Sequence, residues 1–231
     1  MSSQQDLLRI NIAIDGPAGA GKSTVARKVA KRLHYVYIDT GAMYRAVTLS
    51  AIRAGIDFSD VARLGELAAT LNIELKPGEK SQLVSVNGED VTEAIRSRDV
   101  TLGVSAVAAV EAVREHLVDM QRRLASLKGV VMDGRDIGSH VLPDAELKIF
   151  LTADIRVRAA RRLQEIDQAE RIDLEQLAAE IAERDRKDQE REISPLVRAA
   201  DAITVDSSYL TIEQVVEQIA DLSRTKLAEA K

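Results

Sequence analysis

The chain of 231 residues has no cysteine, no tryptophan and only 3% aromatic residues. Absence of cysteine excludes disulfides and cysteine-bound zinc. The shortage of aromatics removes the stacking platforms that hold single-stranded nucleic acid. A formal charge of −5 argues against a general binder of phosphate backbones, so no nucleic-acid partner is expected. No run of about eighteen apolar residues is present, so no spanning helix is read. The start, Met1-Ser2-Ser3-Gln4-Gln5-Asp6, is polar, and the apolar stretch after it is interrupted by Arg9 and Asn11, which does not make a signal peptide. A cytoplasmic protein without a membrane partner is the expectation. No heptads, no cysteine and an even spread of charge point to a monomer. His34, His116 and His140 share no metal-ligand spacing.

What the chain does have is aliphatic content, 45% hydrophobic overall, enough for the core of one domain carrying insertions. Its most informative stretch is Gly16-Pro17-Ala18-Gly19-Ala20-Gly21-Lys22-Ser23, which satisfies G-x-x-x-x-G-K-[ST]. The flanks match the motif. Arg9 to Asp15 alternates isoleucine like a strand, and Val25, Ala26, Val29, Ala30 and Leu33 recur at helical spacing after it. Three glycines let successive N–H groups turn inward as an anion nest, backed by the positive end of the new helix. Lys22 can then reach the β- and γ-phosphates, and the Ser23 hydroxyl can ligate Mg²⁺. A turn that merely joins strand to helix has no use for the Lys-Ser pair, so ATP or a similar triphosphate is the expected donor.

Further strands are expected at Tyr35–Ile38, Val130–Met132, Leu147–Leu151 and Ala202–Asp206, alternating with helices. That alternation implies an α/β fold with a parallel sheet, whose ligands sit at the carboxyl ends of the strands. Asp39, Thr40 and Arg45 fall on that rim, as does Asp133-Gly134-Arg135-Asp136. Asp39 also suits a helix cap. Residues 60–99 break the pattern: a short helix, then Asn72–Lys76 and Ser81–Val86 joined at Pro77-Gly78, with Asn87-Gly88 as a second turn. We read 60–99 as a small antiparallel insertion and 1–59 with 100–231 as the core. Val100–Lys128 is one long helix or two in series. Asp154–Arg191 reads as a highly charged helix pair, its polar link Gln164–Asp173 a possible hinged tip, the whole (about 154–192) suited to a lid. For most of its charges a solvated surface is the simpler reading. Thr211-x-x-Gln214 opens the last helix as a capping box.

A glycine loop fits a small-molecule kinase, a switch GTPase or a motor module. No Asn-Lys-x-Asp tetrad marks guanine specificity, and only Asp133 could serve a motor's strand-end acid. Transfer to a phosphate acceptor needs positive charge from several directions, and arginine binds phosphate in a bidentate way. Arg45, Arg114, Arg135, Arg184 and Arg191 could supply it.

On these residues the chain resembles the bacterial cytidylate kinases over nearly its whole length: Ile14–Thr24, Asp39–Arg45, Asn87–Thr92, Val131–Gly138, the Glu183–Arg191 run and Ala-Asp-Ala near Ala200. The glycine loop is widespread; the Gly-Arg-Asp block together with the hairpin insertion is specific. The resemblance implies a P-loop core with an acceptor-binding insertion and a helical lid, and ATP-dependent conversion of CMP and dCMP to diphosphates. It assigns Gly16–Thr24 to ATP, and Arg45, Arg135 and Arg191 to the CMP phosphate. Ser105, Arg114 and Asp136 would read cytosine, Thr40 and Asp188 would meet the sugar, and Arg184 would act on the transferring group with Lys22, Arg135 and Arg191. Two positions depart from many members: Thr40 stands where they have Ser, and Ser23 where they have Gly, which opens a direct Mg²⁺ contact. Another acceptor on the same fold, such as shikimate or a different monophosphate, and a nucleotide-dependent interaction module remain open alternatives.

Overall fold

Strand β1 (Ile12–Asp15) is buried on both faces. Ile12 and Ile14 point into one apolar layer and Ala13 into another, as the two-residue period requires. The computed structural model describes residues 9–79, 81–164 and 173–229. Most of the expected hinged tip lies outside the described residues, as does the polar start.

Around β1 runs a parallel five-stranded sheet. It is built from β2 (Val36–Asp39), β6 (Val130–Gly134), β7 (Leu147–Thr152) and β8 (Ile203–Asp206), in the order β2-β6-β1-β7-β8. Helices α1 (Lys22–Leu33) and α8 (Ile212–Glu229) cover one face, contributing Val25, Val29, Val215 and Ile219 to the core there. On the other, Ala13, Ile38 and Met132 meet Val118 and Ala125 of α5 (Glu111–Ala125). Thr211 and Gln214 satisfy each other's backbone N–H at the start of α8, which is the capping box.

The segment after α2 (Thr40–Arg53) carries α3 (Val61–Thr70) and a second, antiparallel sheet of β3 (Ile73–Lys76), β4 (Leu83–Val86) and β5 (Glu89–Asp90). Asn87 and Gly88, at φ 51° and 86°, form the tight turn between β4 and β5. This sheet packs Ile73, Val84 and Val86 against α2, α3, α4 (Arg98–Val107) and α5. The long helical stretch is two helices: the chain breaks at Ala108–Val110, and the Arg114 side chain donates to the Ala108 carbonyl that the break exposes, at 3.2 Å. The charged pair follows as α6 (Ile155–Leu163) and α7 (Leu174–Glu190). Among the described residues no helix is long and apolar enough to cross a membrane.

Candidate active site

The glycine loop lies where β1 meets α1. Gly16 has φ 150°, and a Cβ there would fall 1.9 Å from the Leu151 carbonyl oxygen, so no other residue fits. Gly21, at φ 86°, precedes α1, whose first turn holds no acidic side chain; its positive end is left for an anion. Pro17, Ala18, Ala20 and Lys22 are buried, Gly19 and Ser23 exposed, Thr24 half-buried. Lys22 Nζ donates to the Pro17 carbonyl at 2.8 Å. Burial lowers the Lys22 pKa, and the positive charges of Arg135 and Arg184 push it the same way against Asp133.

Three neighbouring strands carry an aspartate at or next to their carboxyl ends on this rim, each with separate work. Asp39 caps α2 by accepting from Ala42 N at 2.9 Å, as its position suggested. Asp133 accepts from Ser23 Oγ at 2.9 Å and from Tyr37 Oη at 2.8 Å. Burial, then the facing Asp39, raise its pKa. Asp15 accepts from the backbone N–H of Ile137 and of Gly138, both at 2.7 Å, and so ties the Gly-Arg-Asp turn to the glycine loop's strand. Burial brings its pKa up to about 6 despite those two donors.

Beside the loop, side chains from five segments converge. Asp136 is paired with Arg114 and, at 3.3 Å, with Arg191. Asp188 accepts from Arg135 Nε at 2.8 Å and from Ser105 Oγ at 3.3 Å. The Arg114 guanidinium lies 5.5 Å over the Tyr44 ring. A buried ion pair adds little net stability compared with an apolar pair of the same volume, so two of them side by side speak for a site rather than for core building. Arg45 donates to Thr101 Oγ1 at 2.8 Å. Thr40 is buried, and its hydroxyl proton goes to the Asp133 carbonyl at 2.7 Å, leaving only lone pairs for any sugar contact.

The arginines outweigh their partners. Burial and the guanidinium groups of Arg135 and Arg45 pull Arg184 down to about 9, and its Nε is buried without a hydrogen-bond partner. Arg45 falls to about 10 through burial and the charges of Arg162, Arg135 and Arg96, against Asp39. Crowded cations with too few anions are relieved by a ligand of several negative charges. That is the chemistry of phosphates facing a helix N-terminus.

A family model described as cytidylate kinase matches residues 12–225. The chain belongs to the cytidylate kinase family. Proteins named cytidylate kinase from Bacillus cereus (strain B4264) and Geobacillus kaustophilus (strain HTA426) are each 54% identical to it, over 93% and 95% of this chain and 96% and 98% of their own. A crystal structure of an uncharacterized protein from Eubacterium ventriosum ATCC 27560 shares the fold at 12% identity and a TM-score of 0.52, covering 94% of this chain and 99% of that one. Membership in the cytidylate kinase family makes this chain a nucleoside monophosphate kinase.

Four features of this kinase escaped the sequence reading. Asp15 and Tyr37 looked like strand residues, and only the register places them beside Gly138 and Asp133. Arg162, one of the charges of the helix pair to which no role was given, is in electrostatic reach of Arg45 and Arg184. Asp185 and Arg158 bind each other and the glycine loop. The burial of Arg158 had one sequence signal: it lies three residues past Ile155 and next to Ala159, on the inward side of α6.

Proposed function

We propose that the chain transfers the γ-phosphoryl group of ATP to CMP and to dCMP, forming the diphosphates, in pyrimidine nucleotide metabolism. The observation that carries this reading is the Arg114–Asp136–Arg191 cluster beside Ser105, in a member of this family. Cytosine donates from its amino group and accepts at its carbonyl and ring nitrogen. Asp136 offers the acceptor, Arg114 and Ser105 the donors; uracil would set a carbonyl against the carboxylate.

On binding, the CMP phosphate would take over Arg135 and Arg191 from Asp188 and Asp136, with Arg45 as the third cation, and the sugar hydroxyls would meet Asp188 and Thr40. Lys22 and the N–H groups of residues 19–24 hold the triphosphate. Arg184 stabilises the charge that develops on the transferring group, and the acceptor oxygen attacks in line. No general base is needed, because the acceptor phosphate is already ionised near neutral pH. The Ser23 hydroxyl and the Asp133 carboxylate are hard oxygen donors 2.9 Å apart, a pair that would hold Mg²⁺. When bound, Mg²⁺ would neutralise charge on the β- and γ-oxygens.

A coupled ADP-release assay across CMP, dCMP, UMP, AMP, GMP and shikimate tests the reading. CMP and dCMP should turn over fastest; faster turnover of any other acceptor would sink it. Omission of Mg²⁺ should abolish turnover, and size-exclusion chromatography should give a monomer.

A further inference from the structure

The third residue of the glycine loop, Ala18, is held on both its polar atoms. Its N–H donates to Asp185 Oδ1 at 2.9 Å, and its carbonyl accepts from Arg158 Nη1 at 2.8 Å. The same Nη1 reaches Asp185 Oδ2 at 2.5 Å, and Arg158 Nε donates to the Ala153 carbonyl at 2.9 Å. Both side chains are buried, and Ala18, Ala159, Leu177, Ala178 and Ile181 close an apolar cluster around them.

A carboxylate this close to a triphosphate-binding loop would repel the ligand if it stood alone. Paired with Arg158 it contributes almost no net charge, yet keeps its acceptor oxygen for the loop. The neighbouring positions on α7 face the acceptor cluster: Arg184 lies among the arginines, and Asp188 binds Arg135 and Ser105. One helix therefore touches the donor loop at Asp185 and the acceptor residues one turn later.

We infer that Asp185, with Arg158, is a positioning residue that sets the glycine loop against α7, so that the loop and Arg184 address the same phosphoryl group. This rests on the loop being the ATP site. It places the inner half of α7 in the rigid body of the site.

Asp185→Asn, Arg158→Lys and the surface control Arg186→Ala, made in the full chain, test it by binding of a fluorescent non-hydrolysable ATP analogue and by steady-state kinetics. Among the described residues Arg186 pairs with exposed acids on its own helix. Asp185→Asn should weaken the analogue about tenfold and lower kcat, with the CMP KM changed less than about twofold, since a hydrogen bond to a charged group is lost at one site only. Arg158→Lys keeps the charge but loses the fork, and should show the same split more weakly; it carries the test if Asp185→Asn does not fold. Arg186→Ala should match wild type. Unchanged analogue binding in folded variants, or equal losses for ATP and CMP, would overturn the inference. Wild-type protein that binds the analogue but does not phosphorylate CMP would overturn the acceptor reading instead, leaving this one standing.

Discussion

The proposed donor and acceptor halves of the site are built from different materials. The donor half is local and mostly backbone: nine consecutive residues, glycines at positive φ angles that side chains disfavour, and a helix N-terminus. The acceptor half is almost all side chain, gathered from residues 45, 105, 114, 135, 136, 188 and 191 on five segments, and most of its charges are already paired with each other. A backbone nest grips any phosphate in the same way, which serves a common donor. Side-chain pairs that must change partners respond to the shape and polarity of the incoming group, which serves selection.

Four changes would break or sharpen that contrast. Lys22→Ala removes the only cationic side chain of the glycine loop; kcat should fall about 10³-fold while circular dichroism shows a folded chain. Asp136→Asn attacks selection, and should raise the CMP KM by roughly 10- to 100-fold while leaving the ATP KM nearly unchanged. Equal losses for both substrates would mean that the carboxylate only holds the two arginines.

Asp15→Asn probes the join between the halves, and its effect depends on pH. The folded-state pKa of about 6 lies above the ordinary 3.8, so the protonated form is favoured by folding. That stability is fully present below pH 4 and lost as pH rises through 6. Against wild type, the variant's deficit in chemical unfolding should shrink by up to about 3 kcal/mol between pH 4 and pH 7. A deficit flat with pH would show Asp15 to titrate normally. Ser105→Ala is the mildest: its bond to Asp188 is 3.3 Å long, and its loss should raise the CMP KM by about two- to fivefold.

Much of the fold was legible because its signals are short-range. The strands around Ile14, Met132 and Ile149 announce themselves by β-branched and apolar runs, Asn87-Gly88 by its backbone needs, and Thr211 with Gln214 by side chains three residues apart. The break at Ala108–Val110 was not legible. No proline or glycine marks it, and the Arg114 side chain that caps it is held in place by Asp136 from beyond another strand's end.

By itself, the sequence determined the glycine loop, since a nest of N–H groups depends on glycine spacing and on the helix that follows. It also determined which arginines and aspartates were available, and their resemblance to a family. Only the tertiary structure decided how those charges pair, that Asp15 fastens the Gly-Arg-Asp turn, and that Asp185 reaches the glycine loop from 167 residues away. The reason is the range of the forces: backbone conformation is set by neighbours in sequence, whereas a buried charge is stable only opposite a partner that the fold must bring to it.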